Sequence, residues 1–321
     1  MRRIVIGIAF AACAIFSLPA QSQTKTNIFV ATGPTTGVYY PLGGGIADVL
    51  TKNIPGLNAT AGTTDGSMAN LLLIQQGRAD IGLSMADASW DAYKGAEKFK
   101  DRQVQVRALM VLYPNRMHIV TVEGSGINKV SDLKGKRVST GAPNSATQIM
   151  AYRVLEAAGL NPEKDIIRER LDPGKSADAI KDKKLDAFFW VGGLPTPAVT
   201  DLGATPGVKL KLIDHSDALD AMVKKYGPLY VKDTIPAKTY PGQETPAQIV
   251  TVWNVLVADA KLPDQLAYDI VKTLIDRKED LIRVHAEAKN FDLKNQSNAT
   301  AVIPYHPGAK KYFAEKGVAL N

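Results

Sequence analysis

The feature that most constrains the fold is a strand–loop–helix pattern that occurs twice in the chain. Val30-Ala31-Thr32-Gly33 matches Val138-Ser139-Thr140-Gly141 almost residue for residue. In both copies an apolar run of buried-strand type passes through a loop of Gly, Pro and hydroxyl residues into an amphipathic helix. Four residues can match by chance, so the weight of the repeat lies in the shared order of the elements around it.

The repeat extends to a second pair of elements. A helix whose last turn runs into Asp80 precedes the buried strand at Ile81, and a helix that runs into Asp186 precedes the strand at Phe188. Helices that alternate with buried strands indicate mostly parallel sheets, in which ligands bind at the carboxyl ends of the strands. The sequence therefore predicts two similar α/β halves, with both hydroxyl-rich loops at that edge.

The first of these loops has the chemistry of an anion site. The sequence predicts Tyr40 as the last residue before the helix and Pro41 at the first helical position. The first N–H groups of a helix lack intrahelical partners and lie at the positive end of its dipole. An ordinary strand-to-helix turn explains the pattern equally well. A P-loop and a dinucleotide fingerprint are both excluded, because the loop has no Gly-Lys-Ser/Thr and Gly43–Gly45 come too late.

Other segments carry simpler predictions. Ser67 is predicted as the N-cap of the following helix. Two strands are predicted at Val104–Tyr113 and Ile119–Glu123, with Pro114-Asn115 between them as a crossing point. A long apolar strand at Ile249–Val257 is predicted to lead back to the first half, and the chain then predicts one helix from Pro263 to Val284.

The N-terminus predicts export. Met1-Arg2-Arg3 is basic, Ile4–Leu18 is apolar but too short to span a bilayer, and Pro19–Ser22 offers small residues for cleavage after Ala20 or Ser22. Residues 1–22 therefore read as a signal peptide of a periplasmic protein. The single cysteine, Cys13, lies inside this segment in a poor lipobox, so the mature chain is expected to have neither a lipid anchor nor a disulfide.

Composition narrows the function classes. The chain has 321 residues, of which 45% are hydrophobic and 22% charged, so it can form one large or two medium globular domains. Its formal net charge is +7, but the lysines are scattered among acids and no basic block contains interleaved aromatics. Nucleic acid is therefore not expected as a partner, whereas a mild positive charge suits small anions.

With these pieces placed, the chain resembles the TAXI group of extracytoplasmic solute receptors, which serve tripartite ATP-independent periplasmic (TRAP) transporters. The resemblance runs from about Asn27 to Gly317. It is carried by Thr32-Gly33, Gly37-Val38-Tyr39-Tyr40-Pro41-Leu42-Gly43-Gly44, Asp65-Gly66-Ser67-Met68-Ala69-Asn70-Leu71, Gly77-Arg78-Ala79-Asp80, Leu112-Tyr113-Pro114, Asp132-Leu133-Lys134-Gly135-Lys136-Arg137-Val138, Gly141-Ala142-Pro143 with Ser145 and Thr147, Gly192-Gly193 with Pro195 and Pro197, and Thr239-Tyr240-Pro241-Gly242.

The resemblance implies a two-lobed, type II periplasmic-binding-protein fold of the α/β class, each lobe a mostly parallel sheet flanked by helices. Lobe 1 is expected from residues 23–115 plus 255–321 and lobe 2 from residues 116–254. The resemblance further implies hinge closure on a ligand and delivery to a membrane permease. Ligands of that group centre on glutamate, glutamine and related small organic acids. Met85-Ala86-Asp87 stands where the group commonly has Gln-Ser-Asp, which favours a less polar carboxylate.

The expected ligand-binding residues come from both lobes. Backbone N–H groups at Gly37, at Val38 and near Ser145 are expected to bind a carboxylate, and Tyr39 and Trp190 to cover the ligand. Hydroxyl groups are expected to donate from Ser67, Ser145 and Thr147, although Ser67 and Ser145 have helix capping as a simpler role. The full predicted set is Thr36, Gly37, Val38, Tyr39, Ser67, Asn70, Met85, Asp87, Ser145, Thr147, Trp190 and Gly193.

The sequence therefore predicts a monomeric binding protein for a small organic acid or amino acid, with a TRAP permease as partner and with neither cofactor nor metal. An exported hydrolase is the rival from another class. The four histidines adjoin neither a nucleophile-elbow sequence nor His-Glu-x-x-His spacing, which argues against it. A periplasmic sensor that presents its bound ligand to a membrane kinase remains open.

Overall fold

The computed structural model describes residues 26–320, so the predicted signal peptide and Cys13 lie outside the described residues. The strands are β1 (Thr26–Ala31), β2 (Leu57–Gly62), β3 (Ile81–Met85), β4 (Val106–Val122), β5 (Arg137–Ser139), β6 (Ile167–Glu169), β7 (Ala187–Gly192), β8 (Leu210–Leu212), β9 (Tyr230–Ile235) and β10 (Ala247–Asp259). The helices are α1 (Tyr39–Asn53), α2 (Ser67–Gln75), α3 (Ala86–Lys94), α4 (Ala146–Ala157), α5 (Pro173–Lys181), α6 (Pro197–Gly203), α7 (Leu219–Tyr226), α8 (Asp264–Asp276), α9 (Lys278–Val284), α10 (Asn298–Ala301) and α11 (Pro307–Glu315).

All of these strands form one sheet that is divided into two lobes. Its order is β2-β1-β3-β10-β4-β7-β5-β6, with β8 beside β4 and β9 beside β10. In the first lobe β1 pairs in parallel with β2 and β3, and in the second β5 pairs in parallel with β6 and β7. The long antiparallel strands β4 and β10 run through both lobes. This arrangement confirms the predicted α/β fold of two lobes.

The sequence repeat is reproduced in hydrogen bonds. The Asp80 carboxylate accepts from the N–H of Phe29 at 2.7 Å, and the Asp186 carboxylate accepts from the N–H of Arg137 at 2.7 Å. The N–H of Thr32 donates to Gly62 O at 3.2 Å, and the N–H of Thr140 donates to Glu169 O at 3.0 Å. Residues at matching positions of the repeat therefore join the central strand of each lobe to its two neighbours.

The structure corrects the prediction of two strands around Pro114. β4 is continuous from Val106 to Val122, and Pro114 pairs with Trp253 beside a register shift at Trp253/Val255. Proline cannot donate to a sheet, but a bulge tolerates the missing donor and bends the strand. The predicted crossing point is therefore the middle of a strand that both lobes share, and the expected boundaries at 115/116 and 254/255 fall inside β4 and β10.

Three helix boundaries also differ from the sequence predictions. α1 begins at Tyr39 rather than Pro41, since a proline costs nothing anywhere in the first turn, where the N–H groups are unpaired. α2 begins at Ser67 with Gly66 at the N-cap, so Ser67 does not cap it. The helix predicted from Pro263 to Val284 breaks at Arg277, and α9 then packs on α1, where Val284 lies over Gly45.

No helix within the described residues is both long and apolar enough to cross a lipid bilayer.

Candidate ligand-binding site

A partly enclosed cavity lies between the lobes at the carboxyl ends of β1, β3, β5 and β7. About 370 Å³ of it is unfilled by protein atoms, and the centres of water molecules can occupy about 30 Å³. The latter figure is room for about two waters, so the cavity suits a small ligand. Its walls are Pro34, Gly37, Val38, Tyr39, Asp65, Gly66, Ser67, Met85, Tyr113, Asn115, Ser145, Ala146, Thr147, Trp190, Val191 and Gly192.

The first lobe contributes the start of α1. Val38 is its N-cap residue and makes no side-chain cap, so the first N–H groups of the helix lack a protein side chain to satisfy them. Gly37 precedes it, and a Cβ at Gly37 would lie 3.1 Å from the Trp190 ring of the other lobe. A side chain at position 37 would therefore press on Trp190, because the two lobes approach closely here.

The second lobe contributes the start of α4, which is capped differently. The Ser145 hydroxyl accepts from the N–H of Gln148 at 3.4 Å and donates to Ala142 O at 2.7 Å. Its one proton is therefore already used, which corrects the expectation that Ser145 donates to a ligand. The Thr147 hydroxyl accepts from the N–H of Val191 at 3.4 Å, and its proton is available to a ligand in the cavity.

A hydroxyl network joins the first lobe to β10. The Tyr39 hydroxyl donates to the Asn254 carbonyl oxygen and lies 3.4 Å from the Ser67 hydroxyl. Ser67 accepts from the N–H of Met85 at 3.0 Å. Burial raises the pKa of Tyr39, so its phenol stays neutral. The network fixes the tyrosine ring over the cavity and leaves the wall without net charge.

Two residues of β4 line the cavity but are absent from the sequence prediction. Tyr113 is 0% exposed and Asn115 is 1% exposed. Within the described chain, the Tyr113 hydroxyl and the Asn115 carbonyl oxygen have no hydrogen-bond partner. A buried polar atom without a partner costs stability, so these two groups point to a ligand. The signal in the sequence was their place beside Pro114, at the predicted crossing between the lobes.

Trp190 forms the far wall of the cavity, and a chain of hydrogen bonds holds its ring in place. Its indole N–H donates to the Thr196 hydroxyl at 3.0 Å, and the N–H of Thr196 donates to the Tyr240 hydroxyl at 3.1 Å. His118 Nδ1 lies 2.9 Å from Arg116 O, an acceptor, so Nδ1 donates and Nε2 accepts from Tyr240. Burial lowers the pKa of His118 to about 3, which keeps the ring neutral.

Of the twelve predicted residues, eight line the cavity and four lie outside it. Asn70 is fully hydrogen-bonded, since it donates to Thr32 O and Leu83 O, each at 2.7 Å, and accepts from Thr64. Thr36 lines the wider mouth, and Gly193 lies one layer behind the wall, against Tyr113 and Val38. The fourth, Asp87, belongs to a buried ion cluster.

That cluster ties the lobes together behind the cavity. Arg153 of α4 donates to Asp91 of α3 at 2.7 Å, and its guanidinium lies 3.6 Å from Asp87. Tyr230 also donates to Asp87 at 2.8 Å. The side chains of Arg153, Asp87 and Asp91 are at most 5% exposed. Asp87 is therefore already paired with a cation of the second lobe and does not reach the cavity.

The cavity wall is almost free of charge. Asp65 is the one acidic or basic side chain among its described residues, and it is exposed at the rim. The mouth outside it, where the centres of water molecules can occupy about 560 Å³, contains Asp65, Asp172, Asp178 and Lys175 together with four threonines. No group of three or more His, Cys, Asp or Glu side chains within residues 26–320 is placed to bind a metal ion.

Further hydrogen bonds show that the lobes touch around the mouth. The N–H of Ala198 in the second lobe donates to Thr36 O at 3.2 Å. The N–H of Ala69 in the first lobe donates to Asn144 O at 3.3 Å. With the Arg153 cluster behind the cavity, these contacts define a closed arrangement.

Solved structures of similar fold include two sulfonate-binding proteins and a protein bound to L-arginine. The chain is similar to the aliphatic sulphonate binding protein SsuA of Escherichia coli, with a TM-score of 0.51 and 16% identity over 90% of this chain and 82% of that one. It is also similar to the alkanesulfonate-binding protein SsuA of Xanthomonas axonopodis pv. citri bound to MOPS, with a TM-score of 0.50 and 16% identity over 90% and 83%. A third structure, Tv2483 bound to L-arginine, gives a TM-score of 0.51 and 13% identity over 84% and 91%.

Such low identities establish the fold alone. Family membership comes from the sequence, because the model of the NMT1-like family matches residues 30–317, which include both lobes, both repeated loops and the whole cavity wall. The chain therefore belongs to the NMT1-like family.

Proposed function

We propose that this protein is an extracytoplasmic solute-binding receptor that captures a small organic anion between its lobes and delivers it to a TRAP-type membrane permease. The observation that carries the proposal is the cavity itself, because its wall is assembled from both lobes and contains two buried polar groups without a protein partner. The sequence resemblance to TAXI receptors supports the TRAP partnership. The predicted signal peptide supports a periplasmic location.

The residue types of the cavity wall favour a binding protein over an enzyme. Among the described residues that line the cavity there is no histidine, lysine or cysteine, and the one carboxylate, Asp65, is exposed at the rim. A hydrolase needs a positioned base or nucleophile within hydrogen-bond reach of its substrate. The wall offers instead neutral hydroxyls and helix N–H groups, which suit the recognition of one anion.

Closure follows from the same geometry. A ligand in the cavity would contact residues of both lobes at once, and these contacts exist only when the lobes meet. Binding would therefore shift an equilibrium between open and closed forms toward the closed one. A permease can distinguish a loaded receptor from an empty one by that difference in shape.

The proposal is tested by a thermal-shift screen of the mature chain with amino acids, monocarboxylates, dicarboxylates and sulfonates. A ligand at about 100 times its Kd adds about 2.7 kcal/mol to the free energy of unfolding, which is a clear shift in Tm. We expect at least one acid to stabilise the protein. Gly37→Val should abolish that shift, because its side chain would meet the Trp190 ring.

Gly44→Ala is the matched control, because a Cβ at Gly44 would meet no atom within 4 Å and the shift should persist. The binding proposal is wrong if no small molecule in the panel stabilises the protein and an ester or amide panel is hydrolysed instead. The TRAP partnership is tested by uptake into vesicles that contain the permease. Uptake should continue after ATP is depleted, and a strict requirement for ATP would exclude it.

A further inference from the structure

We infer that the cavity takes a short, largely apolar monocarboxylate without an amine, and that Tyr113 determines this specificity. The inference rests on the proposed function and narrows its ligand class. Four properties of the cavity support this inference: its wall has almost no charge, the nearby acid Asp87 is already paired, its lining is largely apolar, and the buried Tyr113 hydroxyl has no partner among the described residues.

The wall can neutralise only one negative charge. None of its described residues is Lys or Arg, and the positive potential comes from the uncapped start of α1. Outside, three carboxylates and one ammonium group surround the mouth. A second carboxylate on the ligand would find no cation within the cavity and would meet acids toward the mouth. One uncapped helix start suffices for one carboxylate but not for two.

The cavity wall also has no buried carboxylate that could pair with an amine of the ligand. Asp87 comes two residues after Met85, but it accepts from Tyr230 and lies 3.6 Å from Arg153. Asp65 is exposed at the rim, where water screens it. An ammonium group in the closed cavity would therefore lose its hydration without gaining an ion pair. This cost disfavours an amino acid relative to the same acid without its amine.

Most of the remaining wall is apolar and close. Val38, Met85, Ala146 and Val191 are at most 4% exposed, and the Trp190 ring closes one side. The 30 Å³ available to water centres leaves room for a short chain only. These side chains suit methyl and methylene groups, since apolar surface buried from water stabilises the complex.

The cavity has hydrogen-bond donors for the carboxylate of a ligand that are not already paired within the described protein. Tyr113 is 0% exposed, and within residues 26–320 its hydroxyl has no acceptor. Asn115 follows two residues later on β4, so both side chains lie on the same face of the strand. Both line the cavity that the first turn of α1 also lines. A carboxylate placed there would accept from the Tyr113 hydroxyl and the α1 N–H groups. The atom of Asn115 that lacks a partner is its carbonyl oxygen, which cannot donate to a carboxylate.

The test is titration calorimetry on the mature protein with two matched pairs of probes. Propanoate and alanine differ by the amine, and butanoate and succinate differ by the second carboxylate. We expect propanoate and butanoate to bind at least about tenfold more tightly than their partners, since each partner buries one uncompensated charge. Tighter binding of alanine or succinate would overturn the inference and leave the proposed function standing. Failure of every acid in the broader panel would instead reject the proposed function.

Tyr113→Phe tests the specificity role. It should weaken butanoate binding roughly ten- to a hundredfold, the range for a hydrogen bond to a charged group. It should leave the Tm of the ligand-free protein unchanged or raised, because the hydroxyl has no protein partner to lose. Tyr312→Phe is the matched control, because this buried hydroxyl in α11 also lacks a partner but lies outside the cavity. Equal butanoate affinity in the wild type and Tyr113→Phe would contradict the inference.

Discussion

The first and second lobes share a frame of strands and helices but begin their cavity helices in different ways. α1 starts after Val38 with no side-chain cap, whereas α4 starts after Ser145, whose hydroxyl accepts from Gln148. The repeated Thr and Asp residues hold the two frames in the same way. The first lobe therefore offers unsatisfied N–H groups to a ligand, and the second offers a rigid wall.

The glycines of the repeat show the same division. Gly141 has a φ of +97°, and a Cβ there would lie 2.8 Å from the Thr147 side chain. Gly33, at the matching position of the first lobe, has no such φ, and a Cβ there would lie 3.2 Å from Cβ of Tyr39. Equivalent glycines therefore have different local roles. The repeated residues account for the similar folds of the two lobes, and the differences between the copies account for their different contributions to the cavity.

The largest effect should come from cutting the ion cluster between the lobes. Burial already raises the pKa of Asp91 to about 6 despite the nearby Arg153 guanidinium. Arg153→Met would leave Asp87 and Asp91 buried without their cation and should lower the free energy of unfolding by about 3–5 kcal/mol. Urea unfolding measures this loss.

Lys225→Met is the control for that measurement. Its ion pair with Glu156 is mostly exposed to water, so the substitution should cost about 1 kcal/mol or less. Equal losses for Arg153→Met and Lys225→Met would mean that the buried cluster does not fasten the lobes.

Acid should test the buried histidines next. Burial lowers the pKa values of His118 and His215 to about 3 and about 4, and it also lowers the pKa values of His285 and His306. Below about pH 6.5 these histidines bind protons in the unfolded chain but stay neutral in the folded chain, so stability falls as pH falls. Each histidine should contribute a slope of about 1.4 kcal/mol per pH unit.

His215→Asn isolates one of these slopes. The asparagine amide can replace the Nδ1–H bond to Ile213 O, and the raised pKa of Asp91, which acts in the opposite direction, is common to both proteins. Between about pH 6.5 and 4.5, the free energy of unfolding should fall with pH less steeply in the variant than in the wild type. The two slopes should differ by about 1.4 kcal/mol per pH unit. Equal slopes in the variant and the wild type would contradict this account.

The smallest effect should come from removing the side-chain cap of α4. Ser145→Ala removes the side chain that caps α4 and should cost about 1 kcal/mol of stability. Because its proton is already donated to Ala142 O, ligand affinity should change less than about threefold. Calorimetry with the acid that gives the largest thermal shift measures this, with Thr147→Val as the comparison that should weaken binding. A large loss of affinity in Ser145→Ala would show that the second helix start binds the ligand directly.

Much of the fold could be predicted because its signals are local. The apolar runs of β1, β3 and β10 and the repeated loops needed only hydrophobic pattern and turn chemistry. The break predicted at Pro114 was wrong because a bulge opposite Trp253 accommodates the missing N–H. A bulge depends on the partner strand, which pattern in one segment cannot reveal.

The site could be predicted only in part for a similar reason. Gly37, Tyr39 and Thr147 lie on loops or helix starts whose position follows from the fold class. Tyr113 sits in an otherwise apolar strand, and only the approach of the other lobe makes its hydroxyl part of a cavity. Asp87 looked available for a ligand because its partner, Arg153, is 66 residues away in the other lobe.

The most direct test of the central claim is a distance between the lobes measured with and without the ligand. Cysteines at Thr63 and Asp178, which lie across the mouth, can carry paired spin labels, because the native Cys13 precedes the expected cleavage site. With the acid that gives the largest thermal shift, the distance distribution should narrow to the closed arrangement, and without it a longer population should be present. An unchanged distribution under conditions where calorimetry shows saturation would contradict binding between the lobes.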